Sequence, residues 1–258
     1  MTFLTIAVPT YNRREYLEEL LPELLRQSQP YPDIELFISD NCTTDGSFSY
    51  IQELANHSAQ LRFNRNDSNV GGDENFVRCV ECSHGDYVWI FGDDEILCEG
   101  AIASIIDILK SSRVSLLISG IGQGPERVWC GKYTDFLGRN KPRTILNHSL
   151  ITCNIFKKEI FNPKIARNRK KTNFGHMYAI IDSLKKGAMV CVTSAPIFAV
   201  RTNRAPFEKK PKFIWIKYVQ LFLHMELPYS KITYFICYDL VGATILRQLR
   251  KLQGINKN

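Results

Sequence analysis

Residues 89–97 read WIFGDDEIL. A run of bulky apolar residues closes on three consecutive acids, Asp93, Asp94 and Glu95. Neighbouring carboxylates repel one another and each prefers water, so such a cluster calls for a positive counterpart. A simpler reading is that the acids sit at a helix N-terminus, where the helix dipole favours them.

Three more polar clusters follow apolar runs in the same way. They are Pro9-Thr10-Tyr11-Asn12 after FLTIAV (3–8), Asp40-Asn41 after IELFIS (34–39), and Asn69-Val70-Gly71-Gly72 after LRFN (61–64). The acids themselves follow DYVWIF (86–91). Each apolar run is short and rich in β-branched or aromatic residues, which predicts a buried strand. Between them lie helical patterns: EYLEELLPELLRQ (15–27) with leucines at helical spacing, a helix carrying Phe48, Ile51 and Leu54, and helices near 73–83 and 99–110. Strand–helix alternation is the pattern of an α/β, mostly parallel sheet flanked by helices. Ligands of such sheets bind beyond the carboxyl ends of the strands, where four strands here deliver their polar loops.

Further along, VSLLIS (114–119) predicts another strand and 120–150 reads as irregular. SLITCNIF (149–156) predicts a strand, 157–171 an exposed basic segment, 172–187 a helix closed by Gly187, and 188–200 one or two strands. From 206 the chain reads as two apolar helices. The expected organisation is therefore a domain over 1–205, with halves 1–119 and 120–205, and a C-terminal helical segment over 206–258. In FIWIKYVQLFLHME, Lys217, Gln220 and His224 form one stripe among apolar residues. With the later RQLRK cluster this fits an interfacial helix on an anionic membrane surface; a buried helix or a dimer seam fits the same pattern.

The 258 residues carry a formal charge of +7. Residues 1–100 balance at −12 and 101–258 at +19. That asymmetry predicts two surfaces with different partners. The eight cysteines include one CxxC pair, Cys79 and Cys82, with no second pair to complete a zinc site, so reduced thiols of a cytoplasmic protein are expected. No secretory leader is read at the start, and no apolar run reaches the ~18 to 20 residues of a membrane span. The expected location is the cytoplasm, with peripheral contact to the inner face of the plasma membrane.

IAVPTYNR, ISDNCTTDGS, NVGGDEN and WIFGDDEIL, taken in that order, resemble the family 2 glycosyltransferases of GT-A fold, and GDDE resembles the subgroup that builds bacterial surface polysaccharides, including abequosyltransferase-like enzymes. The resemblance is good over roughly residues 1–100 and loose over 172–201. It implies transfer of a sugar from a nucleotide-sugar donor to a hydroxyl, here of a polyprenyl-pyrophosphate-linked saccharide in O-antigen or capsule synthesis. It implies Mn²⁺ or Mg²⁺ on Asp94, with Asp93 taking the duty of the acid that Gly92 replaces. It places Pro9, Thr10, Tyr11, Arg13, Asp40, Asn69, Gly71 and Asp93 around the donor, with Tyr11 stacking on the base and Asp40 accepting from a pyrimidine N–H.

The acid that inverting members carry at the start of a late helix is missing from Gly175-His176-Met177-Tyr178. His176 is the candidate base, with Asp182 as runner-up; a retaining mechanism would need neither. Two other classes fit parts of the sequence. A sugar nucleotidyltransferase also pairs such a sheet with Mg²⁺, but PTYNRR lacks its glycine-rich loop. A nucleic-acid-binding protein could use the basic half, but no recognition motif appears and no nucleic-acid partner is expected.

Overall fold

The computed structural model describes residues 1–119, 128–140, 145, 148–170, 172–201 and 211–234, with side chains from 216 onward in the last segment. Strands β1 (Leu4–Thr10), β2 (Ile34–Asp40), β3 (Leu61–Arg65) and β4 (Tyr87–Ile90) pair in parallel, β1 at the centre between β2 and β4. The register sets Thr10 opposite Asp40, so the polar loops leave the sheet side by side. A short strand, β5 (Glu95–Leu97), follows the acids. The sheet continues through β6 (Leu116–Ser119), β7 (Val128–Lys132), β8 (Asn154–Lys157) and β9 (Met189–Thr193), in the order β3-β2-β1-β4-β8-β6-β9-β7. Its four parallel pairs outnumber three antiparallel ones. A last strand, β10 (Phe198–Val200), pairs with β5 apart from the main sheet and sets Val200 opposite Glu95.

Successive residues of a strand face opposite sides. Leu4, Ile6 and Val8 of β1 therefore pack on one face, with the helices α1 (Arg14–Ser28), α2 (Ser47–Asn56) and α4 (Ala101–Ser112). Ala7, Phe37, Val88 and Ile90 pack on the other, with α3 (Gly72–Cys82), α5 (Tyr133–Arg139), α6 (Pro163–Asn168) and α7 (Gly175–Leu184). Helix α8 (Pro211–His224) adds Leu221 and Phe222 to that second core, and α9 (Tyr229–Tyr234) adds Ile232. Lys231 ties this end down, its Nζ donating to the carbonyls of Leu137, Gly138 and Asn140 at the C-terminal end of α5.

Several expectations are corrected. Within 120–150, which reads as irregular, 128–132 is an edge strand and 133–139 a helix. The strand expected over 149–156 begins only at Asn154, after a 3₁₀ turn at Ile151–Cys153. Cys130 and Cys191, opposite each other on β7 and β9, are joined, with Cα atoms 4.2 Å apart; only the antiparallel register brings them together. The other described cysteines are free.

Among the described residues, several cations of the basic second half are paired with acids of the first. Arg167 pairs with Glu74 and Glu81 at 2.8 Å each, Lys170 with Glu74 at 2.7 Å, Lys110 with Asp33 at 3.0 Å and Arg201 with Glu19 at 2.6 Å. Each pair joins a cation beyond residue 100 to an acid before it. Within 157–171, Arg167 and Lys170 are thus engaged with α3, while Lys164, Arg169 and Lys170 stay exposed. The second apolar helix beyond residue 234 and the RQLRK cluster lie outside the described residues. Among the described residues no helix is long and apolar enough to cross a membrane.

Candidate active site

The four polar loops meet at the carboxyl end of the parallel strands. Thr10, at the end of β1, donates its Oγ1–H to Asp93 at 2.9 Å, joining two loops that are 83 residues apart in sequence. Beyond Thr10, Tyr11 is exposed, and Arg13 lies over the Tyr16 ring at 5.2 Å. Asn12 adopts a positive φ of 52° and accepts from the Thr44 N–H at 2.8 Å, clamping this loop to the one after β2. Pro9 is half-buried within β1.

Asp40 has no exposed surface. Its carboxylate accepts from the Thr43 N–H at 3.2 and 3.4 Å and lies 3.5 Å from Arg65 Nε. Next to it is a network that the sequence reading missed. Asn41 donates to Asn69 Oδ1 at 2.8 Å and accepts from Val70 N–H and Asn66 Nδ2 at 3.0 Å each. Asn66 also donates to Asn75 Oδ1, which accepts from Ser39 Oγ as well. Asn69 Oδ1 further accepts from the Gly71 N–H, and Gly71 takes φ +82°, a conformation that a side chain disfavours. These amides fix the loop that opens α3. The signal for them was the density of Asn in NRNDSNVGGDEN.

Asp94 and Glu95 line a cleft of about 400 Å³. Its other walls include Asp73 and Phe76 of α3, Ser149 to Ile151, Phe174 and His176 at the start of α7, and Tyr218 of α8. Gly92 explains the departure from an acid at that position. A Cβ there would lie 3.2 to 3.4 Å from the Glu95 side chain, so Glu95 occupies the space that a side chain at 92 would need. The Gly92 N–H donates to Thr152 Oγ1 at 3.1 Å, holding the turn. The helix-terminus reading of the acids does not describe what is seen: Glu95 starts a strand.

His176 Nε2 lies 2.9 Å from the Ser149 carbonyl oxygen. A carbonyl only accepts, so Nε2 carries the proton and Nδ1 is left as the basic nitrogen. The ring meets Phe76 edge-on at 5.8 Å. Burial lowers its pKa to about 4; the Ser149 carbonyl and Asp73 oppose that shift without overcoming it. The ring is therefore neutral near pH 7. Asp182, two turns along α7, is not among the cleft residues. It lies 3.2 Å from His224 Nε2 and 3.5 Å from Lys185 Nζ, pinning α7 to α8.

No three His, Cys, Asp or Glu side chains form a ready-made cage among the described residues. The oxygen-only pair Asp94 and Glu95 still fits Mg²⁺ or Mn²⁺, which are held by one or two carboxylates, with phosphates and water completing the shell.

The model of glycosyl transferase family 2 matches residues 5–162, and the chain belongs to that family of glycosyltransferases. It is 30% identical over 231 residues to the abequosyltransferase RfbV of Salmonella typhimurium, covering 81% of this chain and 69% of that one. It is 27% identical over 107 residues to the GalNAc(5)-diNAcBac-PP-undecaprenol beta-1,3-glucosyltransferase of Campylobacter jejuni, covering 41% of this chain and 34% of that one. Among solved structures it is similar to Staphylococcus aureus TarS 1–349 in complex with UDP-GlcNAc, with a TM-score of 0.61, 16% identity, and 86% of this chain on 66% of that one. It is also similar to the glucosyl-3-phosphoglycerate synthase of Mycobacterium tuberculosis in complex with Mn²⁺, UDP and glucosyl-3-phosphoglycerate, with a TM-score of 0.56, 15% identity, and 88% of this chain on 81% of that one. The fold is GT-A.

Proposed function

We propose that this chain moves a sugar from a nucleoside-diphosphate sugar to a hydroxyl of a lipid-linked saccharide in bacterial polysaccharide synthesis. The observation that carries the reading is the shared cleft: Asp94 and Glu95 face the same space as His176. Asp94, beside Glu95, would hold Mn²⁺ or Mg²⁺, whose charge offsets that developing on the leaving diphosphate. Asp93, held by Thr10, would face the donor, with Pro9, Tyr11, Arg13, Asp40, Asn69 and Gly71 forming the nucleotide side. His176 would accept the attacking hydroxyl's proton at Nδ1, with its tautomer fixed by Ser149. The neighbours bound to UDP-GlcNAc and to Mn²⁺ with UDP support the donor and the ion.

The undecaprenol-linked acceptor in the Campylobacter relative's name supports a lipid-linked acceptor. So does α8, which walls the cleft through Tyr218 and leaves Ile216 57% and Leu223 48% exposed. Those residues would meet the inner face of the membrane.

A thermal-shift panel of UDP, GDP, CDP and TDP and their sugars, with and without Mn²⁺, tests the reading. Stabilisation by one nucleotide that requires Mn²⁺, and slow hydrolysis of its sugar ester, is the expected result. No stabilisation by any member would overturn it.

A further inference from the structure

The family match ends at residue 162, yet the cleft has a wall beyond it. Tyr218, on α8, lines the same space as Asp94, Glu95 and His176. Its ring packs on Phe174 with centroids 4.7 Å apart, and its hydroxyl lies 3.5 Å from Ser149 Oγ. Ser149 is also the residue whose carbonyl holds His176. One residue therefore joins the candidate base to the tyrosine. Asn154 fixes the loop between them, donating to the carbonyls of His148 at 2.9 Å and Leu150 at 2.7 Å. Burial raises the Tyr218 pKa, so the phenol stays a neutral O–H near pH 7.

This wall has a particular chemistry. Phe76 and Phe174 offer apolar surface, while Ser149, Tyr218 and the rim residue Asn173 offer hydroxyl and amide groups. A pyranose presents the matching combination, an apolar C–H face edged with hydroxyls. Site groups that hydrogen-bond a substrate hydroxyl discriminate far better than apolar contact does, because the wrong ligand leaves them unpaired.

We infer that Tyr218 is a specificity-determining residue for the acceptor, its hydroxyl with that of Ser149 reading one hydroxyl of the acceptor's terminal pyranose. This rests on the glycosyltransferase reading above. It assigns to α8 a recognition role besides its packing.

Saturation-transfer NMR tests it on the full chain with Mn²⁺ and UDP, using octyl β-glucopyranoside, octyl β-galactopyranoside and octyl α-mannopyranoside as probes. Wild type should bind at least one in preference to its epimers. Tyr218→Phe, which keeps the ring, should weaken the preferred probe by about 2- to 12-fold, as expected for one hydrogen bond, and flatten the ranking. Tyr218→Ala should weaken it further, while both variants keep the nucleotide-dependent thermal shift. Binding of no probe by wild type would overturn the inference. So would an unchanged ranking in Tyr218→Phe, or loss of nucleotide and glycoside binding together. If wild type instead shows no nucleotide shift but Tyr218 still sets the glycoside ranking, the donor reading fails and the acceptor subsite stands.

Discussion

The Nε2–H of His176 points at the Ser149 carbonyl oxygen, 2.9 Å away, so this imidazole has a defined tautomer with Nδ1 as its basic nitrogen. The helix start alone would lower its pKa through the dipole. Here burial is the larger cause. Replacing His176 with Ala should lower kcat by about 10² to 10⁴ with donor affinity nearly unchanged. In wild type the acidic limb of kcat/KM should lie near pH 4, not near the ordinary value of 6.5. A drop below tenfold with an unaltered pH profile would sink the base role and favour a retaining mechanism.

Asp182 supplies the contrast. Its carboxylate is engaged with His224 and Lys185 away from the cleft. Asp182→Asn should leave kcat within about threefold of wild type and cost stability of order 0.2 to 1 kcal/mol, as for partly exposed pairs. Steady-state kinetics on both variants decides between the two residues; a hundredfold loss in Asp182→Asn would reverse the assignment.

Asp94→Asn keeps the size of the side chain and removes its charge. Transfer should fall to near background with an intact circular-dichroism spectrum, and excess chelator should do the same to wild type. Undiminished turnover in either experiment contradicts a metal on this residue.

Acid should weaken the fold early. His148 is fully buried, and burial lowers its pKa to about 3. In the unfolded chain a histidine titrates near 6.5. Between those values the unfolded state binds more protons, so stability rises with pH and is lost as pH falls from about 6.5. His176 adds to this down to about pH 4. The urea midpoint should therefore drop between pH 7 and pH 5, before most carboxylates titrate. His148→Gln should flatten that slope; a wild-type midpoint constant over the interval would refute the account.

Arg167 holds two acids of α3, and Glu74 is pulled down to about 2 by its hydrogen bond to Arg167, against desolvation. Arg167→Met leaves Glu81 without its guanidinium partner and Glu74 with Lys170 alone. Because Arg167 and Glu81 are partly exposed, the loss should fall near the low end for charged hydrogen bonds, about 1 to 2 kcal/mol. It should shrink at 1 M salt, which screens these ion pairs. Urea denaturation at low and high salt measures both.

The first hundred residues were legible because local rules decide them. β1, β2 and β4 are short apolar runs buried on both faces, and the polar ends they deliver are visible in the sequence. What was hidden depends on contacts distant in the chain. Nothing near Glu95 shows that Val200 will sit opposite it, and nothing near Cys130 points to Cys191. Tyr218 was obscured by its own helix, whose apolar run fits a membrane surface, a buried helix or a dimer seam alike, so nothing local shows that Leu221 and Phe222 join the core or that Tyr218 packs on Phe174. Arg167 and Lys170 read as free cations because their acids lie some ninety residues earlier.

β8 stands between β4 and β6 and is antiparallel to both. β4 and β6, both within the first 119 residues, therefore do not pair with each other; they are joined through a strand that comes later in the chain. Cutting the gene between 119 and 120 would leave β4 and β6 as two open edges with nothing between them, bare backbone that invites pairing with another molecule. Anyone grafting a different second half onto residues 1–119 must carry residues 154–157 with the first. The seam for building chimeras runs around that strand, not across the chain at its apparent midpoint.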